Sequence, residues 1–163
     1  MSAPAPFYKL AEFADALPTV GRIIALDVGS TTIGVAVSDD RRIIASGDLT
    51  IGRKKWSADK AALAAMIDGN GVTGIVIGYP LNMDGTAGPR AQATRAFART
   101  LQETFHLPLL LWDERMSTQA VVRMMEKEAD LSRARRDELV DKLAASYILQ
   151  GVLDALSIAK GAH

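Results

Sequence analysis

Short apolar runs separated by polar turns predict β-strands in the first third of the chain. Residues 23–26 are continuously apolar and end on the carboxylate of Asp27, which is typical of a strand covered on both faces. A Gly-Ser-Thr-Thr turn at 29–32 leads into a second apolar run at 33–37. We therefore expect a hairpin with Asp27 near its closed end. Residues 43–51 predict a third strand that completes an antiparallel meander.

Helical spacing alternates with strand patterns in the rest of the chain. Apolar runs at 72–77 and 108–112 predict two further strands, and residues 130–136 read as a polar loop. The predicted helices span residues 58–68, 88–105, 117–128 and 137–156. A meander followed by alternating helices and strands predicts an α/β fold with a five-stranded mixed sheet and helices on both faces.

The domain organisation follows from length and local composition. Residues 1–20 contain Pro and Ala and are expected to form an N-terminal extension with a short helix, because Leu10, Phe13 and Leu17 have helical spacing. The remaining residues, 21–163, are expected to form one domain, since about 100–200 residues are usual for one.

Composition excludes several classes of protein. The chain is 48% hydrophobic, which argues against disorder. It has no cysteine, so disulfides, thiolate metal sites and a cysteine nucleophile are excluded. Its apolar runs are far shorter than the ~20 residues that span a bilayer. We therefore expect a soluble, cytoplasmic protein without a membrane partner.

The net charge gives no global argument for a nucleic-acid partner, since 19 Lys and Arg balance 19 Asp and Glu. Basic patches occur at 53–55 and 133–136, and either could be a solvated loop. Arg90, Arg95 and Arg99 are expected on the solvent side of the helix at 88–105.

Three acids stand where a site can form. Asp27 and Glu114 follow the first and fifth strands, and sites of α/β sheets collect at the carboxyl ends of parallel strands. The two acids share one edge if their strands are neighbours. Asp141 borders the apolar stripe predicted for the last helix, which comprises Val140, Leu143, Ala144, Tyr147, Ile148, Gly151 and Val152.

Each acid also has a purely structural interpretation. Asp27 could cap the hairpin turn, and Asp141 could be a boundary acid stabilised by the dipole at a helix N-terminus. If all three meet in an apolar setting, they repel one another unless divalent cations are present. Oxygen ligands without cysteine suit Mg²⁺ or Mn²⁺, and two such ions about 4 Å apart can activate water for phosphodiester cleavage.

Four motifs in this order resemble the YqgF/RuvX family over about residues 22–156. They are Asp27-Val28-Gly29 with IGVAVSD at 33–39, Gly78 with PLNMDGT at 80–86, DERMST at 113–118, and Asp141 with AASYILQ at 144–150. The resemblance implies a ribonuclease H-like fold. Family members are described as Holliday junction resolvases or as nucleases that mature the precursor of small-subunit ribosomal RNA.

The resemblance also implies roles for individual residues. Asp27, Glu114 and Asp141 match the family's proposed metal-binding acids, which would be catalytic. Our own hypothesis is that Asp27, as the acid on the central strand, bridges two Mg²⁺ or Mn²⁺ ions and that the other two acids complete their coordination. The substrate-binding residues carried over from the motifs are Gly78, Pro80, Asn82, Asp84, Arg115, Ser117 and Thr118. Ser117 could instead cap a helix. The implied substrate is a structured RNA precursor or branched DNA, and a two-fold symmetric junction would favour a homodimer.

One position departs from the family pattern. The family has Lys or Arg shortly after its first glycine, whereas this chain has Gly29-Ser30-Thr31-Thr32. The change removes one phosphate contact and leaves the three acids untouched. It therefore bears on the substrate more than on the chemistry.

Two other classes fit parts of the sequence. A non-catalytic RNA- or ribosome-associated module predicts nucleic-acid binding that survives loss of all three acids. The Asp-x-Gly turn with Ser-Thr-Thr also resembles the phosphate-binding hairpin of actin-like ATPases, but those proteins need two lobes and 163 residues supply one.

Overall fold

The computed structural model describes residues 7–115 and 133–161, except for the side chains of residues 47, 48, 133–142, 160 and 161. The helices are α1 (Leu10–Ala16), α2 (Trp56–Asn70), α3 (Pro89–Phe105) and α4 (Arg133–Gly161). The strands are β1 (Arg22–Val28), β2 (Thr32–Ser38), β3 (Ala45–Gly52), β4 (Val72–Tyr79) and β5 (Leu109–Asp113).

The strands form a mixed sheet in the order β3-β2-β1-β4-β5. The meander β1–β2–β3 is antiparallel, and β4 and β5 continue the sheet parallel to β1. The expected α/β fold with a five-stranded mixed sheet is thereby confirmed. However, β1 and β5 are not neighbours, because β4 lies between them. Asp27 and Glu114 therefore share an edge of the sheet only across an intervening strand.

Alternate residues of β1 point to opposite faces and build two cores. Ile24 and Leu26 pack in a cluster that includes residues of α2 and α3. Ile23 and Ala25 pack in a second cluster with residues of α1 and α4. By the same alternation, Asp27 extends the row that faces α4.

The N-terminal segment is part of the core. Phe13 of α1 is fully buried, and α1 approaches β4 closely because Gly74 has no side chain. A Cβ at Gly74 would lie 2.7 Å from a Leu17 methyl carbon and 3.0 Å from the Phe13 ring. Tyr8 forms a parallel bridge to Leu110 on the outer edge of β5.

Two of the three arginines expected in solvent on α3 have a partner in this segment. The guanidinium carbons of Arg95 and Arg99 lie 5.1 and 4.2 Å from the ring centroid of Phe7. Arg95 is exposed as expected, whereas Arg99 is partly buried. The helical spacing of α3 could not show an aromatic ring that belongs to a segment over eighty residues away.

Two predicted boundaries were wrong. Strand β3 begins at Ala45 rather than at residue 43, because the carboxylate of Asp39 accepts hydrogen bonds from the N–H groups of Ile43 and Ile44 and holds them in the preceding turn. The last helix begins at Arg133 rather than 137, since residues 133–136 are Arg and Ala, which favour helix. The predicted helix at 117–128 lies outside the described residues.

The buried stripe of α4 is also rotated from the predicted one. Ile148 and Val152 are buried as expected, but Ala144 and Tyr147 are only half-buried. The stripe is completed by Ala145, Leu149 and Leu153. No helix in the described parts of the chain is long and apolar enough to cross a membrane.

Candidate active site

Two carboxyl groups from different strands meet on the face of the sheet that α4 covers. Asp27 lies near the carboxyl end of β1, and Glu114 directly follows β5. The Glu114 side chain crosses Gly78 of the intervening strand β4 to reach Asp27. A Cβ at Gly78 would lie 2.6 Å from Glu114 Oε1 and 2.6 Å from the terminal methyl of Ile148. The Glu114 side chain can reach Asp27 because Gly78 has no side chain in the way.

The contact between the two carboxyl groups changes the chemistry of Glu114. Burial, a hydrogen bond with Asp27 and the negative charge of Asp27 raise the pKa of Glu114 to about 8, and the positive charge of Arg90 opposes the rise. Two carboxylates this close repel each other when both are ionised. Glu114 therefore keeps its proton at neutral pH, unless a cation takes its place.

The donor set fits a hard divalent cation, because the two groups supply only carboxylate oxygens. Among the described side chains, however, no group of three or more His, Cys, Asp or Glu could hold a metal ion. Asp141 lies within α4, one turn before the buried Ala145, and its side chain lies outside the described residues. Its role as a third ligand stays a prediction.

The loop that follows β4 is held by hydrogen bonds of its own. The N–H of Asn82 donates to the carbonyl of Thr86 at 2.9 Å. Asp84 Oδ1 accepts from the hydroxyl of Thr86 at 2.6 Å and from its N–H at 3.0 Å. These hydrogen bonds hold the pKa of Asp84 below its ordinary value, and the bond from the Thr86 hydroxyl has the larger effect. Gly85 takes the left-handed backbone that closes the turn, with φ +89°.

Arg115 joins this loop to the end of β5. Its guanidinium donates to both carboxylate oxygens of Asp113, at 2.6 Å from Nη2 to Oδ2 and 3.0 Å from Nε to each oxygen. Nη1 donates to the carbonyl of Met83 at 3.2 Å. Hydrogen bonding to Arg115 is the main cause that holds the pKa of Asp113 below its ordinary value.

Glu114 lines a cleft of about 370 Å³, a volume within the range of small-ligand pockets. Its lining comprises Pro80, Leu81, Asn82, Met83, Arg90, Glu114 and Arg115. Of the predicted substrate-binding residues, Pro80, Asn82 and Arg115 line the cleft. Gly78 lies beneath Glu114, and Asp84 shapes the loop. Ser117 and Thr118 lie outside the described residues.

Two arginines near the site were not singled out by sequence reasoning. Arg90 was grouped with the solvent face of α3, but it lines the cleft beside Glu114. Arg53 was noted only as part of a basic run. Its guanidinium donates to the carbonyl of Gly29 at 2.8 Å and lies 5.1 Å from the ring centroid of Phe97. A cation from another loop thus contacts the Gly29 turn, where the family resemblance led us to expect a basic residue.

The fold and the paired acids define the class of this protein. It is an α/β domain with two carboxyl groups close together at the ends of its strands. The family described as "RuvX: Holliday junction resolvase" matches residues 21–155, and the chain belongs to this family. A Rhodospirillum rubrum relative named "Putative pre-16S rRNA nuclease" is 54% identical over 93% of this chain and 94% of its own length. A Rhodobacter capsulatus relative of the same name is 55% identical over 93% and 95%.

A solved structure of the yeast mitochondrial Holliday junction resolvase is 12% identical to this chain. It aligns over 93% of this chain and 86% of its own with a TM-score of 0.46. The family assignment rests on the sequence matches alone.

Proposed function

We propose that this protein is a nuclease that hydrolyses phosphodiester bonds in the precursor of 16S ribosomal RNA, with Asp27 and Glu114 as catalytic acids. The observation that carries the proposal is the contact between these two carboxyl groups across Gly78. The relatives named for this activity are more than half identical to the chain and match over nearly its whole length. With this substrate the protein would act in the cytoplasm.

The paired acids suit a reaction supported by divalent cations. Mg²⁺ or Mn²⁺ bound at such carboxylates supplies charge stabilisation and lowers the pKa of water. Asp27 and Glu114 would hold the cations, with Asp141 as the third ligand. The cleft walls would orient the nucleic acid, because Asn82 and Arg115 lie beside Glu114.

The test compares two substrates in the presence of Mg²⁺ or Mn²⁺ and in EDTA. One is a 5′-labelled RNA fragment that spans the 5′ end of 16S rRNA in its precursor, and the other is a synthetic four-way DNA junction. We expect metal-dependent cleavage of the RNA, which Asp27→Asn and Glu114→Gln lower by at least about 100-fold. Asp68→Asn, which neutralises an exposed carboxylate on α2, is the matched control.

The other outcomes separate the alternatives. Preferred cleavage of the junction would assign the family's described resolvase activity, and a dimer in solution would then be expected. Binding of RNA without cleavage by the wild-type protein, unchanged in Asp27→Asn, would assign a non-catalytic module. An Asp27→Asn variant that is folded and cleaves at the wild-type rate would overturn the assignment of Asp27.

A further inference from the structure

Arg90 is exposed and lines the same cleft as Glu114. It is the second residue of α3, and its backbone is fixed there, since the Thr94 hydroxyl donates to its carbonyl at 3.0 Å. Within the described residues, the Arg90 side chain forms no ion pair and donates no hydrogen bond. Its positive charge nevertheless acts on Glu114.

The neighbouring arginines are occupied by partners in the protein. Arg115 is paired with Asp113 through three donor contacts and holds the loop at Met83. Arg53 donates to the carbonyl of Gly29. Arg95 stacks on Phe7, about one and a half turns further along α3 than Arg90. A ligand would have to compete with these contacts, whereas the Arg90 guanidinium has no such contact in the part of the chain that the structure describes.

The charges around the cleft explain why an arginine without a partner among the described residues matters for binding. Before a divalent cation binds, the negative charge at Asp27 and Glu114 repels a phosphodiester, and Asp113 offsets the charge of Arg115. A backbone phosphate that approaches the two acids therefore needs a cation that is not already paired. A guanidinium suits this task, because its planar donors match two phosphate oxygens at once.

We propose that Arg90 binds a backbone phosphate of the nucleic acid beside the bond that is cleaved at Asp27 and Glu114. This inference rests on the proposed nuclease function and extends it by assigning the phosphate contact of the cleft. Arg115 is, by contrast, a positioning residue that acts through the loop at 80–88.

The experiment measures binding and cleavage of the same RNA fragment used to test the nuclease function. Binding is followed by fluorescence anisotropy in EDTA between about 50 and 200 mM KCl, and KM and kcat are measured in Mg²⁺. The variants are Arg90→Gln, Arg90→Lys and the control Arg95→Gln, which removes the same charge from the same helix.

We expect Arg90→Gln to raise Kd and KM by about tenfold, because it removes one charge-assisted contact. The slope of log Kd against log [KCl] should fall in magnitude by about 0.7–0.9, as expected for one lost phosphate contact. Arg90→Lys should restore the slope but not the full affinity, since an ammonium makes no bidentate contact. Arg95→Gln should leave both quantities at the wild-type values.

Failure of this inference can be told apart from failure of the nuclease function. If the wild-type protein cleaves the RNA and Arg90→Gln keeps the wild-type KM and salt slope, the phosphate contact is overturned and the nuclease stands. Equal losses in Arg90→Gln and Arg95→Gln would also overturn it, because they would show only a general charge effect. A wild-type protein that neither binds nor cleaves the RNA overturns both.

Discussion

Gly78 shows how one missing side chain can determine a site. The carboxyl group of Glu114 and the Cδ1 atom of Ile148 each lie 2.6 Å from the place where a Cβ would stand. Both neighbours would have to shift, and Glu114 could then no longer reach Asp27 along the same path. The glycine thus couples packing beneath α4 to the geometry of the acids.

We therefore expect Gly78→Ala to lower the free energy of unfolding by about 1–3 kcal/mol through overpacking. Cleavage should fall as well, because Glu114 is displaced from Asp27. Urea denaturation and RNA cleavage measure the two effects. Gly69→Ala is the control, since a Cβ at Gly69 in α2 meets nothing within 4 Å. Equal stability and activity in the two variants would show that the crowding at Gly78 is relieved without cost.

Glu114 predicts a pH dependence of stability in metal-free protein. Burial and the contact with Asp27 raise its pKa from 4.5 to about 8, so the folded state binds a proton that the unfolded state releases. The contribution to stability is full below about pH 4.5 and is lost progressively as the pH rises to about 8. The ionised form of Glu114 therefore destabilises the fold as the pH rises toward 8 and above.

Glu114→Gln should remove this penalty, because glutamine does not ionise. In EDTA at about pH 8, we expect the variant to be more stable than the wild-type protein by at least about 1 kcal/mol, since one pKa unit corresponds to about 1.4 kcal/mol. The difference should vanish near pH 4.5. Urea denaturation across this range measures it, with the exposed Glu103→Gln as control. A difference that does not change with pH would contradict the raised pKa.

At the scale of elements, the N-terminal helix α1 belongs to the core. Phe13 is fully buried in the cluster that contains Ile23, Ala25 and residues of α4, and this cluster also holds the sheet face that carries Asp27. The N-terminal segment, which the sequence suggested was an extension, therefore packs against the same face of the sheet that carries Asp27.

Truncation of the Phe13 side chain tests whether α1 stabilises the fold. Phe13→Ala should lower the free energy of unfolding by about 3–5 kcal/mol, because it opens a cavity beneath β4. Tyr8→Ala is the control, since Tyr8 is 38% exposed and should cost less than half as much. Chemical denaturation measures both. A loss below about 1 kcal/mol for Phe13→Ala would show that α1 is dispensable for the fold.

Predicted elements and observed elements differ mainly at their ends. The strands at 23–26, 33–37 and 72–77 were predicted within a few residues, because buried strands leave short and mainly apolar runs. The start of β3 could not be predicted, since the N–H groups of Ile43 and Ile44 donate hydrogen bonds to the Asp39 carboxylate instead of joining the sheet. Exposed isoleucines had the appearance of a strand.

At the scale of the whole molecule, binding of a divalent cation should increase the stability of the folded protein. The chain has no net charge, so a rise in melting temperature on addition of Mg²⁺ would reflect a local site rather than general screening. Ligand at about 100 times its Kd stabilises a protein by about 2.7 kcal/mol.

We expect saturating Mg²⁺ to raise the Tm of the wild-type protein by several degrees, as this energy implies for a chain of this size. Asp27→Asn should abolish most of the shift, whereas Asp68→Asn should keep it. Differential scanning calorimetry in EDTA and in Mg²⁺ measures the effect. An equal shift in wild-type and Asp27→Asn protein would place the cation away from the two acids.

The sequence by itself determined the α/β class, the five strands and the position of Asp27 and Glu114 at strand ends, because apolar periodicity is local and parallel strands end at a common edge. Only the tertiary structure decided that β4 separates β1 from β5 and that Glu114 must cross Gly78. It also turned Arg90 into the cleft and brought Arg53 to the Gly29 turn. These features depend on side-chain directions and on contacts between residues that are distant in the chain, which a local pattern does not contain.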